Sequence, residues 1–144
     1  MTTPLAPTTS TTRVRDWPER LDALITARQN WPFVWGTNDC CTFAADAVQA
    51  LTGRNVMGHL RHQYATALDA HHLTCELGGL TAAVTALIGD PVDPIFATVG
   101  DVLLVENLGR EVLAICNGAT AVAPGKTSLQ TIADPHVLAA WRVA

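Results

Sequence analysis

The sequence predicts an α+β fold, in which a group of helices precedes a small antiparallel β-sheet. Up to residue 89, apolar residues recur at the 3.6-residue spacing of amphipathic helices. From residue 101 onward the chain consists of short apolar runs separated by turn residues, as in β-strands. Asn117-Gly118 stands between two of these runs and is typical of the hairpin turns that join antiparallel strands. This order favours α+β, because a parallel sheet needs helices between its strands.

Length, composition and charge narrow the possible classes of protein. The chain has 144 residues, and we expect residues 16–144 to form a single domain. Charged residues make up 15%, well below the usual ~25%, which favours a surface partly covered by protein partners. The net charge of −4 and the lack of a Lys/Arg block argue against nucleic-acid binding. No apolar run approaches the ~20 residues of a membrane span.

Residues 1–15 are predicted to form a Thr- and Pro-rich N-terminal arm. Thr occupies six of the first twelve positions, and Pro4 and Pro7 lie among them. Such a segment buries little apolar surface, so a flexible tail and a strand that docks on a partner are both open. The arm lacks the basic and apolar parts of a signal peptide, and we expect synthesis in the cytoplasm without one.

The first two helices carry start and stop signals. The first is expected to begin at Asp16, with Glu19 completing a capping box. The second is expected over residues 40–52, capped by Asn38 or Asp39 and closed by the glycine that follows.

The remaining elements are predicted from periodicity. A third helix is expected over residues 57–72 and a fourth over residues 80–89. The apolar stripe of the third helix consists of Met57, Leu60, Tyr64 and Leu68. Four strands are expected, over residues 101–105, 111–116, 119–123 and 137–143.

Cys40 is the first candidate for chemistry. It is the first residue of the second helix, directly after Asp39, which would cap the helix beside the site. The amides and dipole at a helix start favour a thiolate, the nucleophilic form of cysteine, and can also hold an oxyanion. A buried, unreactive thiol is the alternative, since free cysteine is among the most buried residue types. A cysteine at the start of a helix that packs on a sheet is the papain-like layout.

The segment around Cys40 resembles the nucleophile helix of NlpC-type cysteine peptidases, which cleave cell-wall peptidoglycan. Their Asp-Cys-Ser-Gly-Phe stands here as Asp-Cys-Cys-Thr-Phe at 39–43, and Gly-Asp-Val at 100–102 is similar to the start of their first strand. A small NlpC-like family encoded among phage tail genes is more closely similar. The resemblance to it lies in the run WGTNDCCTFAADAVQALTG at 35–53, Gly-Gly-Leu at 78–80, Gly-Asp-Val at 100–102 and Ala-Trp-Arg-Val at 140–143. The resemblance covers about residues 17–144 and implies a papain-like, NlpC-like fold.

The resemblance breaks at the catalytic base. In active NlpC-type enzymes the second strand begins with a histidine and ends at a glycine. Aligning that glycine with Gly118 puts Val112 at the position of the histidine. The position that would orient the base falls in the apolar run Ala-Val-Ala-Pro at 121–124. His136 is the only histidine in the predicted sheet and would need a shifted architecture to serve.

Two functional hypotheses follow from the resemblance. The first is a tail-tip component of a phage virion, with an NlpC-like fold and a degenerate catalytic site. It would act in tail assembly or host-envelope engagement, with other tail-tip proteins and host peptidoglycan as partners and no cofactor. The alternative is an active peptidoglycan endopeptidase of the tail, with Cys40 as nucleophile and His136 or a neighbouring chain supplying the base. A papain-like acyltransferase or amidase using the same thiolate is a third possibility.

Two other clusters have simpler explanations. His71 and Cys75 are four residues apart on a predicted helix, but structural zinc takes four ligands and Glu76 is the only supplement nearby. We therefore expect no metal. An aromatic cluster could bind sugar rings, although packing of the first helix on the second is favoured. Its members are Trp17, Trp31, Phe33 and Trp35.

Overall fold

The computed structural model describes residues 13–144, so the first twelve residues of the predicted arm lie outside the described part. The helices are α1 (Trp17–Arg28), α2 (Cys40–Thr52), α3 (Ala67–Glu76) and α4 (Leu80–Ile88). The strands are β1 (Val102–Asn107), β2 (Arg110–Cys116), β3 (Thr120–Pro124), β4 (Leu129–Ala133) and β5 (His136–Trp141). Short 3₁₀ helices cover Gly58–His62 and Pro94–Phe96. Within residues 13–144, none of the helices has the length and apolar character needed to cross a membrane.

The five strands of the described chain form one antiparallel sheet in the order β4-β3-β2-β1-β5. β1 and β2 form a hairpin that pairs Val102 with Ile115. Its two turn residues, Leu108 and Gly109, both have positive φ, as a type I′ turn requires. The predicted α+β class, with helices first and an antiparallel sheet after them, is confirmed.

α2 packs against one face of the sheet and forms the centre of the core. Phe43, Ala47 and Leu51 are fully buried and belong to the same apolar cluster as Leu104 and Ile115. As the sequence predicted, α2 has an acidic N-cap and a glycine in the left-handed conformation at its C-cap. The caps set where the helix begins and ends, and the packing of its apolar face on the sheet sets the position of its first residue relative to the strands.

A buried ion pair ties the start of the described chain to the start of β1. The guanidinium of Arg13 donates to Asp101 Oδ1 at 2.8 Å and to the carbonyl oxygen of Val143 at 2.6 Å. The Asp101 carboxylate is fully buried and also accepts from the backbone N–H groups of Thr98 and Val143. Burial lowers the pKa of Arg13, while the charge of Asp101 opposes that effect. The aspartate of the Gly-Asp-Val segment therefore holds both ends of the domain together.

Gly100, the glycine of that segment, has a structural requirement of its own. Its φ is +94°, and a Cβ there would lie 2.7 Å from a methyl group of Leu51 and 3.0 Å from the Arg13 guanidinium. A larger residue would be strained in its backbone and would also push on α2.

The prediction of a third helix over residues 57–72 is wrong. Residues 57–72 divide into the 3₁₀ helix Gly58–His62 and α3, which begins only at Ala67. Thr66 starts the new helix, because its hydroxyl accepts the backbone N–H of Asp69 at 3.1 Å. Leu68 consequently leaves the predicted apolar stripe and is 62% exposed.

Two further predictions about elements are wrong. The sequence indicated four strands, whereas β4 adds a fifth that pairs with β3 along its whole length. The capping box at the start of α1 is absent: the Asp16 side chain makes no cap and accepts from Arg20 at 2.9 Å instead. Neither change alters the order of helices and sheet.

Candidate active site around Cys40

Cys40 is the first residue of α2, as predicted, and a complete capping box stands in front of it. Asp39 Oδ1 accepts the backbone N–H of Thr42 at 2.9 Å, and the Thr42 hydroxyl accepts the backbone N–H of Asp39 at 2.8 Å. Both residues are buried. This cap fixes the first turn of α2 and therefore the direction of the Cys40 side chain.

The second carboxylate oxygen of Asp39 is also engaged. Oδ2 accepts the backbone N–H of Gly36 at 2.8 Å and the hydroxyl of Tyr64 at 2.7 Å. Burial, followed by the negative charge of Asp39, raises the pKa of Tyr64 well above its ordinary value. Asp39 thus holds the loop and helix around the site, with both of its oxygens committed to this task.

Asp46, which lies within the run of residues 35–53, is also structural. Its carboxylate forms ion pairs with Arg28 at the end of α1 and with Arg61 of the 3₁₀ helix. The Arg28 guanidinium also stacks 4.4 Å from the ring centroid of Trp31. Asp46 thereby fixes α1 and the Gly58–His62 segment to α2.

The environment of Cys40 favours its thiolate. A hydrogen bond from the Cys41 thiol lowers the pKa of Cys40, burial opposes this, and the backbone N–H of Leu113 lowers it further. The charge of Asp39 acts in the opposite direction. The same thiol–thiol hydrogen bond and burial raise the pKa of Cys41, so Cys40 is the more acidic thiol of this pair.

The residue of β2 that faces Cys40 is Leu113, which corrects the position expected for a catalytic histidine. Leu113 and Cys40 belong to the apolar cluster on the α2 face of the sheet. Val112, which the sequence alignment put there, packs on the opposite face. Successive side chains of a strand alternate between faces, so a shift of one residue exchanges them. The residue opposite the thiol is aliphatic and cannot accept a proton.

His136 lies away from the candidate nucleophile. Its Nδ1 is 3.2 Å from Glu106 Oε1, and both side chains are exposed, on the neighbouring strands β5 and β1. His136 does not line the cavity that contains Cys40. Within residues 13–144, no histidine forms a hydrogen bond with the Cys40 thiol.

A cavity of about 610 Å³ opens beside Cys40. It is partly open to solvent and is bounded by α2, α3, α4, the segment between α2 and α3, and residues of β1 and β2. Most of its lining is apolar. Arg110, Glu111 and His71 also line it. Among the described residues, His71 is the one histidine in this cavity wall. From the sequence, His71 was considered only as a metal ligand. The direction in which its side chain points depends on how α3 packs, and the sequence does not reveal that packing.

The histidine–cysteine pair and part of the aromatic cluster noted in the sequence lie near this cavity. His71 Nε2 lies 3.6 Å from Cys75 Sγ on the surface of α3. Residues 13–144 hold no group of three or more potential metal ligands. Phe33 and Trp35 pack edge to face at 4.7 Å, and Trp35 forms part of the cavity wall.

Comparison with known proteins assigns the chain to a family. The model of a family described as "Domain of unknown function (DUF6950)" matches residues 12–143. The chain belongs to the DUF6950 family. This match spans every helix and strand described above, so α2, the cavity and the sheet are all parts of the DUF6950 unit. Searches of curated proteins and of solved structures returned no match for this DUF6950 chain.

Proposed function

We propose that this DUF6950 chain is a papain-like, NlpC-like module of a phage tail tip that acts by binding and does not hydrolyse peptidoglycan. Its location would be the virion tail, among other tail-tip proteins and close to the host envelope. The link to phage tails rests on the resemblance of residues 35–53 and 100–102 to NlpC-like proteins encoded among tail genes.

The single observation that carries the non-catalytic part is the side chain opposite Cys40. A cysteine peptidase needs a base within hydrogen-bonding distance of the thiol and a third group that orients the base. Here Leu113 of the facing strand lies beside the thiol, and Glu111 of the same strand lines the cavity but is exposed. The neighbouring carboxylate of Asp39 is engaged by three donors. The recognisable segments hold the fold together through Asp39, Asp46 and Asp101 without requiring catalysis.

Exposed apolar side chains support a binding role. Ile95 is 80% exposed and Phe96 is 62% exposed in the 3₁₀ helix beside β5. Two adjacent large apolar side chains are costly to leave in water, so contact with a neighbouring tail protein would stabilise them.

Genetic complementation of the phage that encodes the chain tests the proposal. Deleting the gene is expected to abolish complete tails in electron micrographs, and Cys40→Ala is expected to restore them like the unchanged gene. Ile95→Asp with Phe96→Asp is expected to fold but to restore fewer tails, with Leu108→Asp, at an exposed hairpin tip, as the matched control. Normal tails after deletion would contradict the tail role, and failure of a folded Cys40→Ala protein would contradict the non-catalytic role.

An active peptidoglycan endopeptidase is the second candidate, because the lowered pKa of Cys40 favours a nucleophilic thiolate. Of the histidines in residues 13–144, His71 shares the cavity with Cys40, whereas His136 does not. This candidate requires peptidoglycan cleavage that is lost in Cys40→Ala and in His71→Gln. His136→Gln, whose ring is paired with Glu106, is the matched control and should retain it.

A further inference from the structure

The cavity beside α2 has the volume of a ligand pocket. Protein interiors contain few voids larger than a water molecule. At about 610 Å³, this cavity has about four times the volume of an engineered 150 Å³ cavity that binds benzene. It also falls within the ~300–1,000 Å³ range of ligand pockets. Its size is therefore sufficient for a bound molecule.

The cavity extends along more than two turns of α2. Cys40, Ala44 and Val48 all line it, and residues eight positions apart on a helix are separated by about 12 Å. α3 forms another part of the wall, because seven residues between Ala67 and Leu77 line the cavity. The cavity therefore has room for an extended ligand that lies along α2 with α3 beside it.

The wall offers flexible apolar side chains. Met57, Leu60, Leu73, Leu80 and Leu87 all line it. Unbranched and γ-branched side chains of this kind can repack around ligands of different shape. The wall therefore fits a flexible hydrocarbon better than a rigid polar molecule.

Most polar side chains of the wall are already engaged. The Tyr64 hydroxyl donates to Asp39, the Thr74 hydroxyl donates to the carbonyl oxygen of Ala70, and His71 is paired with Cys75. A polar peptide or sugar placed in the cavity would lose its hydrogen bonds to water without replacement. The interior therefore selects against polar ligands.

Arg110 and Glu111 are the exposed charged residues of the lining, so they stand at its rim. Neither forms an ion pair within residues 13–144. The charged side chains of Arg110 and Glu111 can bind the polar head group of an amphipathic ligand at the cavity rim. The head group then stays in water while the apolar part of the ligand is buried.

We propose that this cavity binds a single lipid-like aliphatic chain, with its hydrocarbon between α2 and α3 and its head group at Arg110 and Glu111. The inference rests on the cavity alone and does not depend on the proposed function. The binding is non-covalent, so Cys40 is a wall residue here and needs no base.

Fluorescence titration of the purified chain with cis-parinaric acid tests the proposal. We expect saturable binding of one molecule per chain, reversed by dodecanol and by dodecanoate. Ala70→Trp places a large ring in the cavity and should weaken binding about tenfold or more. Ala86→Trp is the matched control, since Ala86 is exposed on α4 outside the lining, and should bind like the unchanged protein.

A second readout uses the unchanged protein and covers the case in which Ala70→Trp does not fold. Saturating dodecanol should slow alkylation of Cys40 by iodoacetamide about tenfold, since the thiol lies in the cavity wall. The proposal is overturned by the absence of saturable binding or by unchanged Cys40 labelling with bound dodecanol. Equal binding by folded Ala70→Trp would also overturn it. The proposal would also be overturned if an apolar segment of a partner protein occupied the cavity and neither cis-parinaric acid nor dodecanol bound there.

Discussion

The hydroxyl of Tyr64 donates a hydrogen bond to Asp39 Oδ2 at 2.7 Å and so joins the start of α2 to the segment that precedes α3. The two residues are 25 positions apart, and both are buried. Asp39, Tyr64 and Cys40 all line the apolar cavity, so this contact forms part of the cavity wall beside the thiol. Because Asp39 accepts this hydrogen bond, the carboxylate beside the Cys40 thiol has a structural role.

Tyr64→Phe should destabilise the domain by about 1.5–3 kcal/mol, because it removes a buried hydrogen bond to a carboxylate. Urea unfolding followed by circular dichroism measures this difference. Thr131→Val is the control, since it removes an exposed hydroxyl of β4 and should change stability by less than about 0.5 kcal/mol. Equal values for the two variants would show that the Tyr64 contact contributes nothing.

The absorbance of tyrosinate should report the same contact, because Tyr64 is the only tyrosine of the chain. Burial and Asp39 raise the pKa of Tyr64, so its hydroxyl should stay protonated in the folded protein at high pH. In the unfolded chain the tyrosine has a pKa of about 10 and should ionise at those pH values. Since the unfolded state loses its proton first, folding stability should fall as the pH rises above about 10. A titration curve that is the same with and without urea would contradict this.

Arg13→Ala should destabilise the domain by about 3–5 kcal/mol, because it leaves the buried carboxylate of Asp101 without its cation. Thermal and urea unfolding both measure this effect. Arg15→Ala removes an exposed arginine two residues away and should cost less than about 0.5 kcal/mol. A small effect of Arg13→Ala would mean that the backbone donors around Asp101 are sufficient.

Cys40 should react with iodoacetamide at lower pH in the folded protein than in urea, because hydrogen bonds from Cys41 and Leu113 lower its pKa. Peptide mapping by mass spectrometry gives the rate for each cysteine. Cys41, whose pKa is raised, should be labelled later than Cys40. A folded-state midpoint at or above that in urea would contradict the thiolate environment described for Cys40.

The parts of the fold that depend on neighbouring residues could be predicted from the sequence. Asp39 and Gly53 end α2 through contacts within one turn, and the strong hairpin signal at Asn117-Gly118 depends on local backbone preference. β4 could not be predicted, because pairing with β3 holds it in place and Gln130 and Thr131 break its apolar pattern.

The position of Cys40 could be predicted from the sequence, but the residues that surround its thiol could not. The position of Cys40 follows from the cap of α2, whereas the residue opposite it depends on the register between α2 and β2. A one-residue error exchanged Val112 for Leu113, which lie on opposite faces of the sheet. The facing of His71 into the cavity depends on the docking of α3, for which the sequence contains no local signal.

Release of soluble muropeptides from purified peptidoglycan, followed by liquid chromatography, tests the central claim most directly. The claim is that Cys40 is a nucleophile without a base, since Leu113 faces it and Asp39 is engaged. We expect no release above that of the folded Cys40→Ala variant at any pH between about 5 and 9, the range in which an imidazole base and a thiolate operate. Release by the unchanged protein that disappears in Cys40→Ala would contradict the claim and would establish a hydrolase.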